Sequence, residues 1–155
     1  MLDDLRELYQ EVILDHGRSP RNHRHPEDAN RHAQGNNPIC GDTLSVYLAI
    51  GEDGVIRDAA FEGKGCAISI ASASMMTGML KGKTEAQARA LFENFHDMCT
   101  NDDFDLDALD DDADDLDRLK VLSGVRQFPM RVKCATLAWH TMSAAITGED
   151  KTSTE

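Results

Sequence analysis

Residues 40–66, CGDTLSVYLAIGEDGVIRDAAFEGKGC, decide the fold. Leu44, Val46, Leu48 and Ile50 alternate with Thr43, Ser45, Tyr47 and Ala49, the two-residue period of a strand with one buried face. Glu52-Asp53-Gly54 is a turn sequence, and the chain then returns in a second strand from Val55 to about Glu62, so the pair is an antiparallel hairpin. Gly63-Lys64-Gly65 breaks that strand immediately before Cys66, which opens a helix of small residues from Ala67 to Leu80, stopped by Gly82. A cysteine therefore stands at each end of the hairpin.

Working outward, Leu2, Leu5, Leu8, Tyr9, Val12 and Ile13 recur at helical steps and predict an amphipathic helix that ends near His16-Gly17. Residues 18–37, rich in Pro, Asn, His and Arg and without a period, read as an extended connector carrying little core. Thr84-Glu-Ala-Gln is a capping-box pattern and starts a helix running to about Met98. A further helix is expected from about Asp114 to Leu122. Pro129, at home in a first turn because it has no N–H to lose, opens a last helix that stops at Gly148. Strands early and helices late make an α+β domain. One domain over residues 1–148 is expected, with an acidic insertion at about 100–117 and a flexible tail, 149–155.

A chain of 155 residues with 41% hydrophobic content buries one core without disulfides. No apolar run is long enough to span a bilayer, and the acidic, amphipathic N-terminus is no secretory signal, so a cytoplasmic protein with no membrane partner is expected. Of the formal net charge of −12, ten units lie on aspartates between 102 and 117, leaving −2 for the rest. That run reads as a solvated excursion pinned by Leu106, Leu109 and Leu116. Asp103-x-Asp105-x-Asp107 has the opening spacing of a calcium loop, but Ala108 replaces the needed glycine and Asp114 the bidentate glutamate. The one basic stretch, Arg18 to His32, lacks interleaved aromatics, so no nucleic-acid partner is expected.

Cys40, Cys66, Cys99 and Cys134 have no short pairing, which in a reducing compartment favours metal ligation or thiol reactivity over disulfides. Cys66 falls at a helix start and Cys134 in the first turns of the last helix beside Arg131 and Lys133, surroundings that favour thiolate. Asp42 follows Cys40 by two residues, so on extended chain both side chains point to one side. Three thiolates and a carboxylate suit zinc or an iron–sulfur cluster better than a hard cation. Buried cysteines also serve as small hydrophobes, and the spacing is no zinc ribbon, so spacing alone leaves both readings open. Cys99, at a helix end, is read as packing. His16, His23, His25 and His32 are read as connector residues rather than a metal patch, and Met75, Met76, Met79 and His140 as packing or surface residues.

LYQEVILDHGRSPRN, NPICGDTLSVYL, GKGCAISIASASMMTGMLKGK and FPMRVKCATLAWHTM, in this order, resemble the successive signature blocks of the IscU/NifU N-terminal scaffold family. The resemblance implies a SufE/NifU-type fold, about three antiparallel strands packed against about five helices, with Cys40, Asp42, Cys66 and Cys134 clustered at one tip. It also implies a cysteine desulfurase as sulfur donor. Members of the IscU branch carry a histidine directly before the third cysteine; here Lys133 stands there. That lysine and the extra residues 100–125 resemble the SufU branch, whose members are zinc-bound sulfur acceptors for a desulfurase of the SufS type. The implied function is a persulfide relay in iron–sulfur assembly, with Cys40 as acceptor, Arg131 orienting the site or contacting the partner, and downstream assembly proteins receiving the sulfur. Such a protein is at most a zinc-dependent sulfurtransferase, not a stand-alone enzyme. The alternatives are a scaffold holding a nascent iron–sulfur cluster on Cys40, Cys66 and Cys134, and a purely structural zinc domain.

Overall fold

The computed structural model describes all residues except 1, 39–40, 102, 105–112, 150 and 154–155. The expected hairpin forms from β2 (Asp42–Ile50) and β3 (Ile56–Lys64), paired antiparallel with an irregularity at Ala49/Ile50. Its turn works through Gly54, whose φ of +78° favours glycine, and through Asp53 Oδ1, which accepts from the Val55 N–H at 3.1 Å. β3 runs two residues beyond the expected end at Glu62, because Gly63 keeps its place in the ladder opposite Leu44 at a φ of +138°.

Two strands are additional to the hairpin, so the sheet has four strands rather than about three. The connector expected over residues 18–37 ends in β1 (Arg31–Asn37), antiparallel to β2, and the tail expected to be loose lays β4 (Lys151–Ser153) parallel against β1. The order is β3-β2-β1-β4. The early part of the connector is tied down too: the Arg24 N–H donates to Phe61 O, and the Phe61 N–H to Asn22 O, both at 3.0 Å. This satisfies part of the outer edge of β3.

The helices are α1 (Leu2–Arg18), α2 (Ala67–Leu80), α3 (Glu85–Thr100), α4 (Ala113–Leu119) and α5 (Pro129–Thr147). Between α4 and α5 the chain tightens into a 3₁₀ helix over Lys120–Gln127, where the sequence reading ended a helix at Leu122. The Thr84–Gln87 capping box forms in both directions, and Gly148 ends α5 in the left-handed conformation. α5 lies on β1 and β2, α2 on β3 and α5, and α1 on the outside of α2. Alternate residues of β2, Leu44, Val46, Leu48 and Ile50, enter one buried cluster with Phe61, Met76, Phe95 and Trp139. The Trp139 indole N–H reaches Ser72 Oγ at 3.0 Å, so the largest core side chain is buried with its polar atom satisfied. Leu116 is buried, as expected of an anchor for the acidic run; Leu106, Leu109 and most of that run lie outside the described residues. No described helix is long and apolar enough to cross a membrane.

Candidate metal centre

The two-residue period of β2 aims Asp42 inward, like Leu44 and Val46, but from the strand's first position. It therefore meets the starts of two helices instead of the core. Asp42 is fully buried and receives three donors: the Cys66 N–H to Oδ1 at 2.9 Å, the Ser69 hydroxyl to Oδ2 at 2.6 Å, and the Asn37 amide to Oδ2 at 3.4 Å. Cys66 is the N-cap of α2 with no cap bond from its own side chain, and the carboxylate supplied by β2 accepts instead from the N-cap backbone N–H, at the positive end of the helix. The Cys66 sulfur sits 3.5 Å from Ser69 Oγ.

Cys134 comes from the second turn of α5 and is wholly buried, with Asn37 Nδ2 at 3.6 Å from its sulfur and Met130 O at 3.7 Å. The ligand atoms of Asp42, Cys66 and Cys134 all lie within 4.8 Å of one another, the only such group of three among the described residues. Ligands held tetrahedrally about 2.0–2.3 Å from a zinc ion lie about 3.3–3.8 Å apart, so small side-chain movements close the set on one ion. Two soft sulfurs and a carboxylate, with Cys66 the partly exposed member, fit zinc. Three of the four expected ligands are thus brought together. Cys40, the fourth, lies outside the described residues, in the connection whose ends, Asn37 and Asp42, are cross-strand partners.

Glycines make the close packing here possible. A Cβ on Gly65 would stand 2.9 Å from Asp42 Oδ1 and 3.0 Å from Ser69 Cβ, and one on Gly63 would run into the Thr43 carbonyl oxygen. Arg131 is exposed one turn before Cys134, and beside it Phe128, the N-cap of α5, and Met130 in its first turn face solvent, 60% and 57% exposed. The sequence reading missed Asn37 and Ser69. Nothing marks either residue in the sequence except the inward parity of a strand that was itself not recognised and a position three residues after Cys66.

The other candidates behave as packing. Met75, Met76 and Met79 are buried. His16 Nδ1 bonds Ser74 Oγ at 2.7 Å, His23 packs edge-on to Phe61, and His25 and His32 both stack on Tyr47; the four form no metal-binding group among the described residues. Cys99 is buried, and burial pushes its thiol up from 9.0 to about 12. Two consequences are expected. Native protein at pH 8 resists alkylation at Cys99 while unfolded protein is labelled, as read by mass spectrometry. Because only the unfolded chain loses this proton between pH 9.0 and about 12, the thiol also makes stability fall as pH rises through that window. Rapid native labelling at Cys99 would contradict both.

An α+β domain that gathers two thiols and a carboxylate from a strand start and the first turns of two helices has the donor set of a thiolate metal centre. Residues 8–135 match the NifU-like N terminal domain, and the chain belongs to that family. It is 40% identical over 143 residues to the zinc-dependent sulfurtransferase SufU of Bacillus subtilis (strain 168), covering 92% of each chain. It is 37% identical to the iron-sulfur cluster assembly scaffold protein IscU of Thermotoga maritima over 90% of this chain and 92% of the relative. Among solved structures, the SUF-system scaffold FiSufU from Fervidobacterium islandicum AW-1 superposes with a TM-score of 0.74 at 33% identity, covering 88% of this chain and 94% of that one. The N-terminal NifU-like protein from Brucella abortus gives 0.78 at 26% identity, covering 96% of both.

Proposed function

We propose that this protein accepts sulfur from a cysteine desulfurase for iron–sulfur assembly and holds zinc on Cys40, Asp42, Cys66 and Cys134. The convergence of Asp42, Cys66 and Cys134 within 4.8 Å carries the reading. Similarity to a zinc-dependent sulfurtransferase over nearly the full chain supports it. Zinc at this place would keep its thiols deprotonated and tie three segments together.

The residues divide the work. Asp42, pinned by three donors, and Cys134, buried in α5, are the fixed members. Cys40, on the short connection between β1 and β2, is the acceptor. Its thiolate attacks the outer sulfur of the donor's persulfide; a new S–S bond forms at Cys40, the donor's S–S bond breaks, and the donor cysteine leaves as thiolate. Atoms and charge balance without an added oxidant. Arg131 and the exposed Phe128 and Met130 are assigned to contact with the desulfurase, beside the centre. The similarity to an IscU scaffold favours a second reading, a nascent cluster held on the same cysteines.

Purified protein separates the two. About one zinc per colourless chain and faster turnover of a SufS-type desulfurase in its presence are expected. A brown protein carrying iron and sulfide supports the scaffold. Bound zinc with no effect on the desulfurase leaves only a structural zinc domain and refutes the proposal.

A further inference from the structure

Asn37 ends β1 opposite Asp42 and is fully buried. Its Oδ1 is the single buried side-chain N or O atom without a hydrogen-bond partner among the described residues. Leaving a buried carbonyl unmet carries a desolvation cost that an apolar side chain of similar size does not. Packing alone therefore gives no reason for an amide here. The reason lies at its other end, where Nδ2 stands 3.4 Å from Asp42 Oδ2 and 3.6 Å from Cys134 Sγ. The opposite orientation of the amide would set a carbonyl oxygen against a carboxylate oxygen and a sulfur, three acceptors together, so the amino group faces the site.

We propose that Asn37 is a positioning residue of the metal centre, one amide clamping the ligands from β2 and α5 at the separation a shared ion needs and offsetting their negative charge. The proposal rests on the zinc reading above. Three thiolates and one carboxylate around a divalent ion leave two excess negative charges, and donors from the surrounding protein are the means of countering them without another cation. On the α2 side the donors are the Cys66 N–H and the Ser69 hydroxyl. On the α5 side the Cys134 thiol donates to Met130 O at 3.7 Å. Once that sulfur ligates an ion it has no proton to give, and the Asn37 amino group provides a donor in its place. Asn37 also joins sequence positions 97 apart, so it fixes α5 against the β1–β2 hairpin at the point where the ligands meet.

The test uses wild type and the variants Asn37→Ala, Asn37→Leu and Asn37→Asp, stripped with a chelator. Each is melted without metal, titrated with cobalt(II) as a visible probe, and then competed with zinc. A positioning role predicts that Asn37→Ala and Asn37→Leu keep most of the wild-type metal-free stability, since the two lost N–H contacts are offset in part by removal of the unmet carbonyl. Their zinc affinity falls about 10–100-fold, the usual effect of losing a group that orients ligands. The sulfur-to-cobalt charge-transfer band also moves, because the thiolate has lost an N–H donor. Asn37→Asp, of the same shape but anionic, loses more affinity than either. Zinc affinity within threefold of wild type in both apolar variants, with the band unmoved, overturns the proposal. So does a loss of metal-free stability as large as the loss of affinity, which marks a packing residue. Wild type that takes up no cobalt refutes the metal centre itself, an outcome separate from an Asn37 failure because it appears before any substitution.

Discussion

Cys40→Ser is expected to abolish sulfur acceptance. After incubation with a cysteine desulfurase and cysteine, the wild-type chain is expected to gain sulfur at residue 40, while the variant gains none and desulfurase turnover falls to its level without this protein. The serine hydroxyl is not ionised near neutral pH and cannot displace a thiolate from a persulfide. The other cysteines are less suited to the role. Cys134 is completely buried, Cys99 is buried with its thiol pushed up to about 12, and Cys66 is fixed as the N-cap of α2. Mass spectrometry of the persulfidated chain decides the matter: a sulfur adduct on another cysteine, together with wild-type stimulation, shows that Cys40 is not the acceptor. Asp42→Ala is a less selective change than a simple ligand deletion. It strands the Cys66 N–H, the Ser69 hydroxyl and the Asn37 amide together, so it is expected to cost stability as well as metal.

Gly63→Ala produces the largest effect expected on the fold. At a φ of +138° an L side chain is strained whatever the space, and here the new Cβ meets the Thr43 carbonyl oxygen and comes within 2.9 Å of Leu44 Cα. Both contacts are backbone of the neighbouring strand, in ladder register with Gly63, so neither side can yield without opening β2 from β3. Strain and overpacking together are expected to remove roughly 3–5 kcal/mol, a large share of the 5–15 kcal/mol typical of a domain. Urea unfolding measures it, and an unchanged midpoint would show that the strand accommodates the methyl group. Gly65→Ala makes an informative contrast. Its Cβ presses on Asp42 Oδ1 and Ser69, so metal affinity should suffer more than the fold.

The hairpin, α2, the capping box and the ends of α5 were legible in the sequence because each carries its own local signal, either a period or a cap. β1 was not, although it alternates in burial as regularly as any strand. Its inward positions are Ala33, Gly35 and Asn37, and its outward ones are polar, so hydrophobicity does not alternate where burial does. Gly35 is there because α5 lies so close that a Cβ would strike Thr141. That tertiary reason has no local trace. β4 is three residues long and exists only because β1 offers it an edge. The same gap explains the centre. Its ligands were recognisable as chemistry-bearing residue types at element boundaries and through the family blocks, whereas Asn37 and Ser69 became visible only once the strand and helix that carry them were placed.

The centre draws on the beginning of β2, the beginning of α2 and the second turn of α5, and this fixes when it can exist. Contacts between residues so far apart in sequence form late, after the cost of closing the long intervening loop has been met. On a ribosome adding about 5–20 residues per second, Cys134 is made roughly 5–18 s after Asp42. Throughout that interval an incoming ion finds an incomplete donor set. A fully ligated ion at the proposed centre would therefore report that α5 has been made and has packed against the hairpin.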